Sequence, residues 1–198
     1  MNTLKVGVLA FHGDVSEHEE ALKRAAEKLK LHVDVVLVRT KQALLKLDAL
    51  IIPGGESTTL QKLCEREGMW GEMKKIKNIF GTCAGAILLA KKLYHREKGQ
   101  KTLEIMDIDI DRNAYGRQNE SFEDDIQTDL GATHAVFIRA PQIKRIGKNV
   151  VILAKRGSEI VACEERVQDR YYLAACFHPE VTSTLFHEYF LKQIQRTA

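Results

Sequence analysis

The sequence predicts an α/β protein built on a parallel, doubly wound sheet, and three observations predict it. Short apolar runs alternate with helix-period segments through the first half of the 198 residues. Glycine-rich turns follow several of those runs. The residues with chemical potential, near positions 55, 83 and 178, fall just past the C-terminal ends of predicted strands, where open α/β sheets bind ligands.

The elements follow in order. Lys5 to Leu9 reads as the first strand. Val15 to Leu29 reads as a helix, because Ala21, Leu22, Ala25, Ala26 and Leu29 share a face and Asp14 with Glu17 has capping-box spacing. A strand Val33 to Val38, a short helix near Gln42 to Lys46, a strand Ala49 to Ile52 and a helix Thr58 to Arg66 come next. Asn78-Ile79-Phe80 ends a strand leading into Gly81, and Ala86 to Lys92 predicts a helix. The second half reads as strands at 103–110, 121–128, 133–138, 149–154, 159–164 and 170–176, closed by a helix from Thr184 to Gln195. Lys98-Gly99-Gln100-Lys101 and Asp124-Asp125 read as exposed turns. With no repeat, long linker or low-complexity segment, the expectation is one domain over 1–198.

Composition narrows the function class. The chain is 44% hydrophobic, enough for a substantial core, and its net charge of +3 with 29% charged residues is too balanced to imply nucleic acid or a membrane surface. No apolar run approaches the ~20 residues a membrane-spanning helix needs. The first residues read as a strand and not as a charged-then-apolar leader. Four cysteines without framework spacing suggest reduced thiols and a cytoplasmic setting; Cys64, Cys163 and Cys176 read as small core hydrophobes.

Cys83 reads differently. Gly81-Thr82-Cys83-Ala84-Gly85 places a thiol between small residues where a strand meets a helix, the pattern of a nucleophile elbow. The flanking glycines relieve collisions with strand and helix, and the helix N-terminus favours the thiolate. Phe177-His178-Pro179-Glu180 follows the apolar run to Cys176. In extended geometry His178 and Glu180 project to the same side, so the carboxylate can orient the ring. Alone, His-x-Glu also fits a surface ion pair or metal ligands; the elbow favours a Cys-His-Glu triad and calls for no metal. Pro53-Gly54-Gly55-Glu56-Ser57 breaks a buried strand into a loop whose N–H groups can face an oxyanion. A plain turn or a phosphate loop also fits that segment, although a Walker lysine and G-x-G-x-x-G spacing are both missing.

PGGEST, GTCAG and HPE, in this order, resemble the class I (triad) glutamine amidotransferases. Gly7 to Val15, Asp111 to Gln118 with Ser121-Phe122-Glu123, and Phe137-Ile138-Arg139-Ala140-Pro141 are together similar to the glutaminase subunits of pyridoxal 5′-phosphate synthases. The resemblance runs from residue 4 to about 195. It implies a flavodoxin-like three-layer sandwich with a central, mostly parallel sheet, and hydrolysis of L-glutamine to glutamate and ammonia. Position by position it makes Cys83 the nucleophile, His178 the general acid/base and Glu180 its orienting carboxylate. It places Gly55, Glu56, Ser57, Arg112, Ile138 and Arg139 on the glutamine and makes Gly55 and Ala84 the oxyanion hole. It implies no cofactor, and a (β/α)₈-barrel synthase partner in a large hetero-oligomer that receives the ammonia. One departure is Phe11-His12, where the family usually has Leu-Gln near the synthase-facing side. Two rivals remain from the sequence: a triad amidotransferase serving histidine or nucleotide biosynthesis, and a non-enzymatic thiol protein.

Overall fold

The computed structural model describes residues 3–114 and 121–196. Tyr115, Gly116, Arg117 and Gln118 of the family-like segment lie outside the described residues. The first half alternates as expected: β1 (Leu4–Leu9), α1 (Val15–Leu29), β2 (Val33–Val38), α2 (Lys41–Leu44), β3 (Ala49–Ile52), α3 (Ser57–Arg66), α4 (Trp70–Met73), β4 (Asn78–Thr82) and α5 (Ala84–Leu89). Strands then dominate: β5 (Ala90–Tyr94), β6 (Met106–Asp111), β7 (Ser121–Thr128), β8 (Gly131–Ile138), β9 (Gln142–Ile146), β10 (Val150–Arg156), β11 (Glu159–Val167) and β12 (Arg170–Ala175). The helices α6 (Pro179–Thr182) and α7 (Leu185–Gln195) close the chain.

Among the described residues twelve strands form one mixed sheet, whose main path runs β2-β1-β3-β4-β12-β11-β10-β7-β8. From β2 to β12 the neighbours are parallel; from β12 to β8 they are antiparallel. The "mostly parallel" expectation therefore describes the first half of the path and not the whole sheet. The antiparallel half curls back, and the His178 N–H donates to the Val136 carbonyl at 2.9 Å, joining the β8 strand to the end of β12.

Side chains on the parallel strands alternate between two buried clusters. Val6, Val8, Ile51, Phe80, Leu173 and Ala175 pack with α1 and α7 through Leu22, Phe186, Phe190 and Leu191. Leu50, Ile52, Ile79, Tyr172 and Ala174 pack with α3 to α5 through Leu60, Met73 and Ile87. Period-2 alternation buried on both faces is what a parallel strand between two helical layers requires.

Four sequence expectations change. The helix after Cys83 stops at Leu89, not Lys92, because residues 103–105 claim its last carbonyls: Leu103 N–H donates to Leu88 O at 2.7 Å and Ile105 N–H to Leu89 O at 3.2 Å. Ala90 turns extended and β5 pairs with β6. The strand β9 was not anticipated from its mixed Gln142-Ile143-Lys144-Arg145-Ile146 run; it is held by β6 and β11. Asp124 and Asp125 lie within β7 instead of a turn, paired with Arg156 at 2.8 Å and His134 at 2.7 Å. Glu180 sits in the first turn of α6, because Pro179 begins a helix there instead of continuing an extended chain.

Candidate active site

The strands β3, β4 and β12 are neighbours, so the segments leaving their C-terminal ends meet over one part of the sheet. Those segments carry Gly55, Cys83 and His178. All three line a cleft of about 530 Å³, with Glu56, Ser57, Arg112, Ile138 and Arg139. Of the ten sequence candidates, Ala84 and Glu180 are the ones set beneath the cleft wall, 1% and 2% exposed.

Cys83 has φ 48° and ψ −105°, a conformation L-residues seldom adopt. Its amide is anchored to the Ala175 carbonyl at 2.8 Å, which ties β4 to β12 at the turn. Gly85 makes the turn possible: a Cβ there would stand 2.0 Å from the Ile52 carbonyl oxygen. A Cβ on Gly81 would meet the Gly85 backbone at 2.5 Å. The elbow is thus a real steric construction between strand, helix and neighbouring strand. The Cys83 sulfur lies 3.7 Å from the Ile138 carbonyl oxygen, and Cys83 and His178 line the same cleft.

The His178 ring is nearly buried, and its Nδ1 lies 2.8 Å from Glu180 Oε1. A second carboxylate, Asp14, stands 2.9 Å from the same nitrogen. Burial works against a charged His178, but hydrogen bonds to Asp14, Cys83 and Glu180 outweigh it and raise the ring's pKa. Burial pushes the Glu180 carboxyl up, opposed by His178. Asp14 is lowered, chiefly by its hydrogen bond to His178. Asp14 occupies the α1 N-cap position but makes no side-chain cap; its carboxylate is spent on the histidine. The other three cysteines are inert by comparison: each is buried, and burial pushes Cys64 up to about 12 and Cys163 and Cys176 upward too.

Residues 8–196 match the SNO glutamine amidotransferase family. The chain belongs to that family. A solved structure titled as a glutamine amidotransferase superposes on this amidotransferase with a TM-score of 0.83 at 44% identity, covering 96% of this chain and 98% of the other. Curated relatives named pyridoxal 5′-phosphate synthase subunit PdxT are 47% identical in Oenococcus oeni and in Methanospirillum hungatei, each covering 96% of both chains.

In this amidotransferase the charged candidates for glutamine hold one another. Glu56 caps α3, accepting from Thr58 N–H at 2.9 Å and Thr59 N–H at 2.6 Å, and pairs with Arg112 Nη2 at 2.6 Å. Arg112 also meets Glu97 at 2.8 Å and Gln100 Oε1 at 3.0 Å. Burial raises the Glu56 carboxyl, but the Thr59 and Thr58 donors reverse this and lower it to about 2. Arg139 follows β8 with φ 45°, so the backbone bends sharply where its side chain reaches the cleft. The His12 ring lies against Gly55: a Cβ on that glycine would be 2.6 Å from two ring atoms.

Sequence reasoning missed Asp14, Thr82, His18 and His187. Asp14 and His18 are four residues apart, on one face of α1, a spacing that pointed them both toward the same side. His187 stood between Phe186 and Phe190 on an apolar face, the signal of a buried histidine.

Among the described residues no helix is long and apolar enough to cross a membrane. Asp14, His178 and Glu180 offer three ligand atoms within 4.8 Å of one another. The ring nitrogen between two carboxylates already accounts for that cluster as hydrogen bonds, and the sequence called for no metal.

Proposed function

We propose that residues 1–198 act as one glutaminase domain that hydrolyses L-glutamine to L-glutamate and ammonia, and passes the ammonia to a (β/α)₈-barrel synthase subunit that makes pyridoxal 5′-phosphate. The observation that carries this reading is that the strained Cys83 and His178 line one cleft, with His178 held from behind by the buried Glu180 at 2.8 Å. The order 2-1-3-4 followed by β12 in the parallel half supports a flavodoxin-like framework for it.

The ionised carboxylates can only accept, so His178 carries a hydrogen on Nδ1, and Nε2 remains for the sulfur. The Cys83 thiol passes its proton to His178 Nε2, the resulting thiolate attacks the carboxamide carbon, and the Gly55 and Ala84 N–H groups receive the oxyanion. His178 protonates the departing nitrogen, ammonia leaves, and a glutamyl thioester remains on Cys83. His178 then takes a proton from water as it attacks the thioester, releasing glutamate and the thiol. Glu180 holds the ring's tautomer and stabilises the imidazolium in both halves.

A substrate with an α-ammonium and an α-carboxylate needs charges of both signs at the far end of the cleft. Arg112 and Arg139 supply the positive ones and Glu56 the negative one, with Ser57 and the Ile138 carbonyl as polar contacts. Ammonia released into water is protonated and lost as a nucleophile, so a docked synthase subunit is chemically economical. The relatives' names support that partner. Four free thiols fit a reducing, cytoplasmic setting.

The test is Cys83→Ala, assayed for glutamate release with and without the synthase subunit. The variant folds and releases none; ammonia production at the wild-type rate would remove Cys83 from the reaction.

A further inference from the structure

Two histidines with no exposed surface stand behind Glu180: His18 from α1 and His187 from α7. His18 Nδ1 lies 2.9 Å from His187 Nε2. On its other side, His18 Nε2 lies 2.9 Å from Thr82 Oγ1 and 3.4 Å from Glu180 Oε1. We propose that His18, itself held by His187, is a positioning residue that directs its Nε2 hydrogen at Glu180 and fixes the carboxylate on which His178 depends. The proposal rests on the Cys83-His178-Glu180 reading above.

The tautomers follow from the surroundings. Burial keeps both rings neutral, pushing His18 well below the ordinary histidine range and His187 to about 3, so each carries one N–H. If His18 donated from Nδ1, its Nε2 lone pair would face a carboxylate oxygen at 3.4 Å. The hydrogen of His187 would then fall on Nδ1, a buried atom without a hydrogen-bond partner. The opposite assignment removes both faults. His187 donates from Nε2 to His18 Nδ1, and His18 donates from Nε2 toward Thr82 and Glu180. What remains is an unpaired ring lone pair on His187, and buried acceptors go unpaired more readily than buried N–H donors.

Glu180 is short of donors. Its Oε2 is buried without a partner, its Oε1 is the oxygen that faces both His178 and His18, and burial already raises the carboxyl's pKa. The groups facing it are His178 from the segment after β12, Asp14 and His18 from α1, and Thr82 from β4; His187 stands behind His18 and feels Arg24 of α1. A lysine or arginine at position 18 would neutralise the carboxylate and weaken its hold on the imidazolium. A neutral imidazole supplies a hydrogen without a charge, and supplies it unchanged across the working pH range.

Three variants separate donation from packing. In His18→Gln the amide nitrogen falls near the lost Nε2; in His18→Asn it falls near Nδ1; His18→Phe keeps the ring and removes both. Glutamine hydrolysis is measured with the synthase subunit present. Wild-type turnover, abolished in Cys83→Ala, first tests the triad reading on its own. For His18→Asn and His18→Phe we expect kcat to fall about tenfold to a hundredfold with KM unchanged. The acid limb of the kcat profile should move to higher pH, because a carboxylate with one donor fewer ionises later. His18→Gln keeps most of kcat and leaves the limb in place. Wild-type kinetics in His18→Asn and His18→Phe would overturn the proposal, and so would a loss in His18→Gln as deep as in His18→Phe. Should the residue 18 variants not fold, His187→Gln against His187→Met decides by the same two readings, with the loss expected only in the methionine variant.

Discussion

Two carboxylates share one hydrogen on His178, and the sharing has a measurable consequence. Nδ1 lies 2.8 Å from Glu180 and 2.9 Å from Asp14, so each acceptor takes part of a single N–H. A hydrogen bond to a charged group contributes about 1.5–3 kcal/mol, which for the fully buried Glu180 side chain places the cost of Glu180→Gln at about 10- to 150-fold in kcat. Asp14 is one-third exposed, and solvent screening reduces its share to about 1 kcal/mol or less, so Asp14→Asn costs about fivefold or less. When either is removed the other inherits the hydrogen. In the double variant neither remains, and the loss should exceed the product of the single losses by about tenfold, a coupling of ~1.4 kcal/mol. The assay is kcat for glutamate release in the four proteins of the cycle. A double variant no worse than that product would refute the shared-hydrogen account.

Two stability predictions follow from the elbow and the loop. Gly85→Ala should destabilise the fold by about 3 kcal/mol, since its Cβ meets the Ile52 backbone oxygen at 2.0 Å and no side chain can yield. Gly71→Ala, in α4 with open space around it, should be stabilising by about 0.5–1 kcal/mol; urea unfolding compares the two, and equal shifts would contradict the steric reading. Glu56 is held at about 2 against an ordinary 4.5, so it contributes stability above pH 4.5 that is lost as pH falls toward 2. In Glu56→Gln the urea midpoint should therefore fall less between neutral pH and about pH 3 than in the wild type; parallel acid losses would show that the cap does not carry this dependence.

Much of the site was legible because its local chemistry is local in sequence. The elbow needs small residues on both sides of Cys83, and Gly81 and Gly85 declare it. The two-sided burial of β3 is written in its unbroken apolar run, and that of β1, β4 and β12 in the apolar stretches from Val6, Ile79 and Tyr171. Less visible were features set by distant chain. The helix after Cys83 ends early because residues 103–105 take its carbonyls, and no signal within 84–92 encodes that. The antiparallel half of the sheet, and with it the curl that brings Ile138 and Arg139 to Cys83, depends on pairings between strands that the sequence leaves unordered. Asp14 read as a helix cap because its spacing to Glu17 fits one; the buried imidazole that claims its carboxylate lies 164 residues away. His18 and His187 meet only through the packing of α1 against α7.

The most direct test of the central claim is chemical labelling with a diazoketone analogue of glutamine, followed by peptide mass mapping. A thiolate activated by His178 and Glu180 predicts one label, on Cys83, blocked by glutamine and slowed in Glu180→Gln, with Cys64, Cys163 and Cys176 untouched. Labelling of Cys83 at the same rate with Glu180 replaced, or unprotected by glutamine, would contradict it.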